Sequence, residues 1–129
     1  MGDIQAAFND FFNHMKSQRA QTQMTLGGLI SRLKELDPDM EMDGICRSHS
    51  YRGYYGDLAF ESGERKTVWK TLAYIEECVG RQYCGWKGGN FYMDEDTPIW
   101  IANEGSTGVC IISINNDGSI VTAKEDTFF

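Results

Sequence analysis

The fold is indicated most strongly by a stretch near the C-terminus, Val109-Cys110-Ile111-Ile112-Ser113-Ile114-Asn115-Asn116-Asp117-Gly118-Ser119-Ile120-Val121-Thr122-Ala123. Residues 109–114 and 119–123 have the composition of short strands, and a polar turn separates them. The Asp-Gly pair accepts the positive φ angles that tight hairpin turns require. This stretch therefore predicts an antiparallel β-hairpin.

Strands and helices are also predicted on the N-terminal side of the hairpin. Short strands are expected at residues 57–60, 90–93 and 99–102, with weak alternation at 40–46, a loop at 47–56 and a turn at 62–66. One helix begins after Thr25, a favourable N-cap, and stops at Asp37-Pro38. A second begins after Thr67, which is expected to cap it, and closes at Gly80. Their predicted inward-facing residues are Leu26, Leu29, Ile30, Leu33 and Leu36 in one and Val68, Leu72, Ile75 and Val79 in the other.

This order of elements predicts an α+β fold. N-terminal helices precede a mostly antiparallel sheet, and the helix after Thr67 packs across that sheet. Residues 24–129 are assigned to this single domain. At 129 residues, the chain is large enough to bury a core without disulfide or metal staples.

Residues 1–23 are assigned to a separate amphipathic helix for oligomerisation or partner contact. Its apolar stripe, at helical spacing, consists of Ile4, Phe8, Phe11, Phe12 and Met15. The stripe either adds to the core of the same domain or pairs with another subunit. Three phenylalanines on one face of an appended helix favour the homo-oligomer.

Charge and composition narrow the classes of partner. The net charge is −7, yet residues 47–87 carry seven basic and five acidic side chains. An acidic protein repels nucleic-acid backbones, so nucleic acid is an unfavoured partner, and the locally basic segment favours a small anionic ligand. No apolar run approaches the ~20 residues of a membrane span, and no secretory signal is visible. The four cysteines form no C-x-x-C pair, which favours reduced thiols and a cytoplasmic protein.

Two segments interleave aromatic rings, one cation and paired glycines, namely Ser50-Tyr51-Arg52-Gly53-Tyr54-Tyr55-Gly56-Asp57 and Tyr83-Cys84-Gly85-Trp86-Lys87-Gly88-Gly89-Asn90-Phe91-Tyr92. A folding core rarely needs this mixture. In a binding site, rings stack on flat groups, cations hold anions and glycines let the backbone approach a ligand. The predicted ligand-binding residues are Ser50, Tyr51, Arg52, Tyr54, Trp86, Lys87, Gly88 and Thr97.

These residues have distinct expected roles. Arg52 and Lys87 neutralise phosphate, Tyr51, Tyr54 and Trp86 stack, and Ser50 and Thr97 form hydrogen bonds. The structural alternative is that the tyrosines fill a loop against the sheet while Arg52 pairs with Asp57 or Glu61. In the second segment, the alternative is a plain Gly88-Gly89 turn. The small-residue loop 103–108 offers further hydroxyls and backbone N–H groups, or is a simple connection.

The sequence argues against catalysis. Asp94-Glu95-Asp96 is more typical of a solvated turn, although a metal-dependent phosphodiesterase-like role for Asp94 and Asp96 is an alternative. A catalytic cysteine needs a base, and the only histidines are His14 and His49. Since no triad, metal cluster or nucleotide-hydrolysis motif is present, we predict no enzyme activity, no metal and no cofactor.

From Met24 onward the chain resembles a family of small proteins of bacteriophages and prophages. The resemblance lies in residues 25–30, 50–60, 85–93 and 96–102, which read TLGGLI, SYRGYYGDLAF, GWKGGNFYM and DTPIWIA. It covers roughly residues 24–115 and leaves the N-terminal helix outside the shared pattern. The resemblance implies a phage accessory protein, and such proteins often antagonise host immunity.

Together these features predict a phage counter-defence protein. It would bind and sequester a small anionic, nucleotide-type immune signal, such as a cyclic nucleotide or an ADP-ribose derivative, in the host cytoplasm. The alternative is a protein–protein inhibitor of a host defence complex. In that case the acidic C-terminal third would dock on a basic surface, with aromatic residues and arginine as the hot spot.

Overall fold

A computed structural model describes residues 23–85 and 88–124. These residues form two helices, a five-stranded sheet and a two-stranded sheet, which confirms the α+β class. The elements are α1 (Leu26–Glu35), β1 (Glu41–Ser50), β2 (Leu58–Thr67), α2 (Val68–Cys78), β3 (Gln82–Cys84), β4 (Asn90–Tyr92), β5 (Ile99–Ile101), β6 (Val109–Ile114) and β7 (Ile120–Ala123). The predicted oligomerisation stripe of Ile4, Phe8, Phe11, Phe12 and Met15 lies outside the described residues.

The main sheet has the strand order β1-β2-β5-β6-β7. Its neighbours are antiparallel except for β2 and β5, which are parallel, so the sheet is mostly antiparallel as predicted. The β6–β7 hairpin is confirmed. Gly118 at its turn has a φ of 87° and donates to the Asn115 carbonyl oxygen at 3.0 Å. Hydrogen bonds from the Ser119 hydroxyl and backbone N–H lower the pKa of Asp117 in the same turn.

The first hairpin is longer than predicted. Each of β1 and β2 runs for 10 residues, so the loop predicted to begin at 47 and the turn predicted at 62–66 were wrong. Residues 62–66 have turn-like composition but pair with the start of β1, with Gly44 opposite Gly63. Cross-strand pairing overrides local propensity because β preference depends strongly on context. The three-residue strand β3 was also not predicted.

Both helices cover one face of the sheet. The Thr25 hydroxyl caps α1 by accepting from the Gly28 N–H at 3.1 Å, as predicted. Thr67 precedes α2 but makes no side-chain capping bond. The two helices share a core with inward-facing strand residues, and its fully buried members include Leu29, Leu33, Ile75, Leu58, Phe60, Ile99 and Ile111. Burial of this kind contributes about 1.5–3 kcal/mol for each large aliphatic side chain.

The opposite face of the same sheet carries a second buried cluster. Because successive side chains alternate across a strand, Trp100 faces this side while Ile99 and Ile101 face the helices. The cluster consists of Tyr51, Ala59, Trp100, Ala102 and Cys110. No helix in the described part of the chain is long and apolar enough to cross a membrane. All four cysteines are free thiols.

Tyr83 links the small sheet to β1 and should make stability depend on alkaline pH. Burial and a hydrogen bond with Cys78 raise the pKa of the Tyr83 hydroxyl to about 12, although its contact with the Ser48 hydroxyl at 2.9 Å opposes the shift. An unfolded tyrosine has a pKa of about 10, so it loses its proton first. The free energy of unfolding is therefore expected to fall as pH rises from about 10 to about 12.

Urea unfolding of the wild type and Tyr83→Phe across this interval measures the effect. The phenylalanine variant has no phenol to ionise at this position, so its stability should fall less steeply with pH. Parallel curves for the two proteins would contradict the assignment.

Candidate functional site

The loop between β1 and β2, residues 51–57, is closed by its own hydrogen bonds. The Tyr51 N–H donates to the Asp57 carbonyl oxygen at 2.9 Å, and the Asp57 N–H donates to the Tyr54 carbonyl oxygen at 2.8 Å. The Ser50 hydroxyl donates to the Tyr55 carbonyl oxygen at 2.5 Å. Gly53 has a φ of 110°, a backbone conformation that residues other than glycine rarely adopt. The backbone bonds and the glycine fix the path of this loop.

A stacked pair of rings supports the loop from below. Tyr51 and Trp100 lie face to face, with ring centroids 4.0 Å apart and planes 7° apart. Both are buried, and the Trp100 indole N–H donates to the Asp57 carboxylate at 2.9 Å. The Tyr51 hydroxyl accepts from the Gly108 N–H at 3.1 Å, which ties in loop 103–108. Tyr51 thus packs against the sheet, as in the structural alternative considered from the sequence.

Tyr54 forms the outer part of this cluster. Its ring is half-buried and lies 6.0 Å from Trp100 and 6.4 Å from Tyr51 between ring centroids. The planes differ by only 21° and 15°, so the ring is held nearly parallel to the buried pair. A partly exposed ring in a fixed orientation can accept a flat group on its surface.

Arg52 is two positions before Tyr54 in the same loop and lies on the surface. Its side chain is exposed, and one Nη1 hydrogen bond of 2.7 Å reaches the Gly105 carbonyl oxygen of loop 103–108. The bond holds the guanidinium across two loops while leaving it in contact with solvent. A guanidinium has five N–H donors in a planar fork, a geometry that suits carboxylate and phosphate groups.

The two aromatic segments recognised in the sequence are in contact. Tyr55 of loop 51–57 and Phe91 of β4 have ring centroids 6.2 Å apart. The β3–β4 turn is closed by Gly88 donating to the Gly85 carbonyl oxygen at 2.9 Å, with an exposed Gly88 at a φ of 99°. Trp86 and Lys87 lie outside the described residues, so their predicted roles remain predictions.

Thr97 uses its hydroxyl within the domain. It accepts from the Asp94 N–H at 2.9 Å and contacts the Asp94 carboxylate at 3.3 Å. The side chain is fully buried, and the structure does not bring it to the surface formed by Arg52 and Tyr54. Ser50 is likewise committed to the loop backbone. Of the eight predicted residues, Arg52, Tyr54 and Gly88 are described with exposed or half-exposed positions.

The acidic turn and His49 have defined structural contacts. Asp94 accepts from the Asp96 N–H at 2.9 Å, and all three acidic residues of the turn are exposed. The two ring nitrogens of His49 lie 3.0 Å from the Ser50 and 2.9 Å from the Ala102 carbonyl oxygens. Within residues 23–85 and 88–124, no three His, Cys, Asp or Glu side chains are grouped to hold a metal ion.

Sequence reasoning missed Trp100 and Asp57 as the residues that position the site. Trp100 sits in Ile99-Trp100-Ile101, where alternation along a strand predicts that the middle residue faces away from its neighbours. Alternation therefore predicts which face of the sheet Trp100 occupies. It does not predict the hydrogen bond to Asp57, because Asp57 is 43 positions away in the chain.

The fold and this geometry define a class of protein. It is a small α+β domain with helices on one face of a curved sheet and, on the other, two loops over a stacked aromatic cluster. Comparisons with protein-family models, with curated proteins and with solved structures find no match.

Proposed function

We propose that this chain is a non-catalytic binding protein that takes up a small anionic molecule with a flat ring system, of nucleotide type. The observation that carries the proposal is that one loop presents both an exposed cation and a half-exposed ring. The Arg52 guanidinium donates to the Gly105 carbonyl oxygen, and the Tyr54 ring, two positions further on, lies nearly parallel to a buried stack. This geometry supplies a cation for an anionic group and a face for a base.

The surrounding charges favour one anionic group over a long polyanion. Loop 51–57 contributes Arg52 and the buried Asp57, whereas loop 103–108 contributes the exposed acid Glu104. A phosphate backbone would bring several charges toward an overall acidic protein and be repelled. A mononucleotide-sized ligand can place its phosphate on Arg52 alone.

Sequestration fits these residues because it needs affinity and no catalytic group. The resemblance to phage proteins supports a setting in which the ligand is a host immune signal, captured in the infected cell. A homo-oligomer formed through the N-terminal stripe would place several such surfaces on one particle, and this assembly is part of the proposal.

The first test is a thermal-shift screen of the full chain against linear nucleotides, cyclic nucleotides and ADP-ribose derivatives. Stabilisation is expected for at least one of them, with the ligand recovered unchanged after heat denaturation. Recovery of a chemically altered ligand would mean that the protein is an enzyme and would overturn the proposal of a non-catalytic binding protein. No shift with any compound would overturn the proposal.

Arg52→Gln is expected to weaken binding of the stabilising ligand by about 10-fold or more, because it removes a charge-assisted hydrogen bond. Lys34→Gln is the matched control, since it removes one exposed positive charge from α1 on the helical side of the sheet. Titration calorimetry gives the affinities, and the unfolding midpoint checks the fold. Equal affinities for the two variants would contradict the role of Arg52.

A second candidate, a protein–protein inhibitor, is supported by an exposed aromatic beside an acidic turn. Tyr92 is 67% exposed, and Asp94, Glu95 and Asp96 follow it on the surface. Aromatic anchors with charged surroundings are typical of interface hot spots. Under this alternative no ligand in the screen stabilises the protein, and reversing Glu95 and Asp96 to lysine abolishes co-purification with a host protein.

A further inference from the structure

The two edges of the main sheet meet. Strands β1 and β7 stand at opposite ends of the strand order, yet the Asp43 N–H donates to the Gly118 carbonyl oxygen at 2.9 Å. The Asp43 carboxylate in turn accepts from the Ile120 N–H at 2.9 Å. The sheet therefore curls enough for the turn before β7 and the first residue of β7 to contact β1, which gives the sheet a concave interior.

One end of this interior is filled and the other is open. The helices cover the part that contains Phe60, Ile99 and Ile111. Beyond them lies a cavity of about 420 Å³, lined by residues from all five strands. The cavity is partly open to solvent, and its volume is within the range of small-molecule sites.

The lining of the cavity is mixed, and part of it is aliphatic. The aliphatic part is formed by Ile45, Ile101, Val109 and Ile120, of which only Ile45 is fully buried. Ile101 and Val109 are directly opposite each other on β5 and β6, so they present one continuous apolar surface. Such a surface gains free energy when an apolar group covers it, at about 25 cal/mol per Å² removed from water.

The rim carries both hydrogen-bond donors and acceptors, and its cation is Arg65. Arg65 Nη1 contacts the Asp43 carboxylate at 3.1 Å, and Nη2 donates to the Glu41 carbonyl oxygen at 3.1 Å. Both Asp43 oxygens already accept a bond, one from Arg65 and one from Ile120. The guanidinium has three further N–H donors, and its side chain is 52% exposed. Ser62 and Thr122 add hydroxyls to the same lining.

We propose that this cavity binds a small amphipathic carboxylate. The apolar body lies on the wall of Ile101, Val109 and Ile120, and the carboxylate accepts hydrogen bonds from Arg65 at the rim. The site is distinct from that of Arg52 and Tyr54, because neither residue is among those that line the cavity. It therefore does not depend on the function proposed for that surface.

Octanoate is the probe for this site. Titration of the full-length, ¹⁵N-labelled protein should shift the amide signals of Ile101, Val109, Ile120 and Thr122. Arg65→Gln is expected to lower the affinity for octanoate at least about tenfold. Octanol has no carboxylate, so its affinity for the wild type should be about as low as the affinity of Arg65→Gln for octanoate. Lys34→Gln should leave the affinity unchanged. Equal affinity for octanoate and octanol would overturn the carboxylate assignment.

A second pair of variants tests the cavity without removing a charge. Thr122→Phe fills the cavity from an exposed position on β7 and should abolish octanoate binding. Val121→Phe, next along the strand and directed to the other face, should leave it intact. Thermal unfolding confirms that each variant is folded. Absence of shifts in the wild type, or unchanged binding by Thr122→Phe, would overturn the proposal.

Discussion

Trp100→Ala is expected to lower the free energy of unfolding by about 3–5 kcal/mol, among the largest effects of any single change in this domain. The substitution removes a fully buried ring stacked on Tyr51 at 4.0 Å and leaves a void beneath loop 51–57. It also removes the indole N–H that donates to the buried Asp57 carboxylate at 2.9 Å. A buried charge that loses a donor retains its desolvation cost.

Two matched variants separate the contributions to this loss. Trp100→Phe keeps a ring in the stack but removes the N–H donor, so it should cost about 1–3 kcal/mol. Trp69→Ala removes the same side chain from α2, where tryptophan is 50% exposed, and should cost much less. Urea unfolding measures all three. A Trp100→Ala protein as stable as Trp69→Ala would contradict the supporting role of the ring stack.

The same variants connect stability with the proposed ligand surface. If the Tyr51–Trp100 stack orients Tyr54, Trp100→Phe should preserve most ligand affinity in a folded protein. A loss of affinity in Trp100→Phe as large as that in Arg52→Gln would contradict this role of the ring stack.

Gly44→Ala is the second change with a large expected effect, a loss of about 3 kcal/mol in the free energy of unfolding. Gly44 is buried in β1 opposite Gly63, and an added Cβ would overlap the Glu64 carbonyl group. The obstacle is backbone, which cannot rotate away as a side chain does. The β1–β2 ladder must therefore separate locally.

Gly56→Ala is the matched control, because its added Cβ would meet only the Phe91 ring at 4.0 Å. This change should alter stability by no more than about 0.5 kcal/mol. Chemical denaturation of both variants measures the difference. Similar midpoints for the two would mean that β1 and β2 do not approach as closely as the structure has them.

Local sequence signals were sufficient wherever the structure depends on near neighbours in the chain. The Asn115–Gly118 turn, the Thr25 cap and the apolar spacing of both helices each involve residues within a few positions of one another. The length of β2 was not predictable in this way. Its residues 62–66 become a strand only because β1 lies beside them.

The same distinction between local and long-range contacts applies to the candidate site. The sequence predicts a binding role for Arg52 and Tyr54, since their mixture of charge, rings and glycines is unusual for a core, and this role stays a prediction. It did not identify Trp100 as the support of Tyr51, because that contact joins strands far apart in the chain. The sequence also did not predict that the Thr97 hydroxyl would form a hydrogen bond with Asp94 in the same turn.

By itself, the sequence determined the α+β class, both described helices, the C-terminal hairpin and the segment in which aromatic rings surround a cation. These follow from periodicity, capping and turn chemistry, which act over short distances. Only the tertiary structure decided which rings are buried, which remain at the surface, and that the edges of the sheet meet around a cavity. Those outcomes depend on the curvature of the sheet and on contacts between distant strands, and local composition does not encode either.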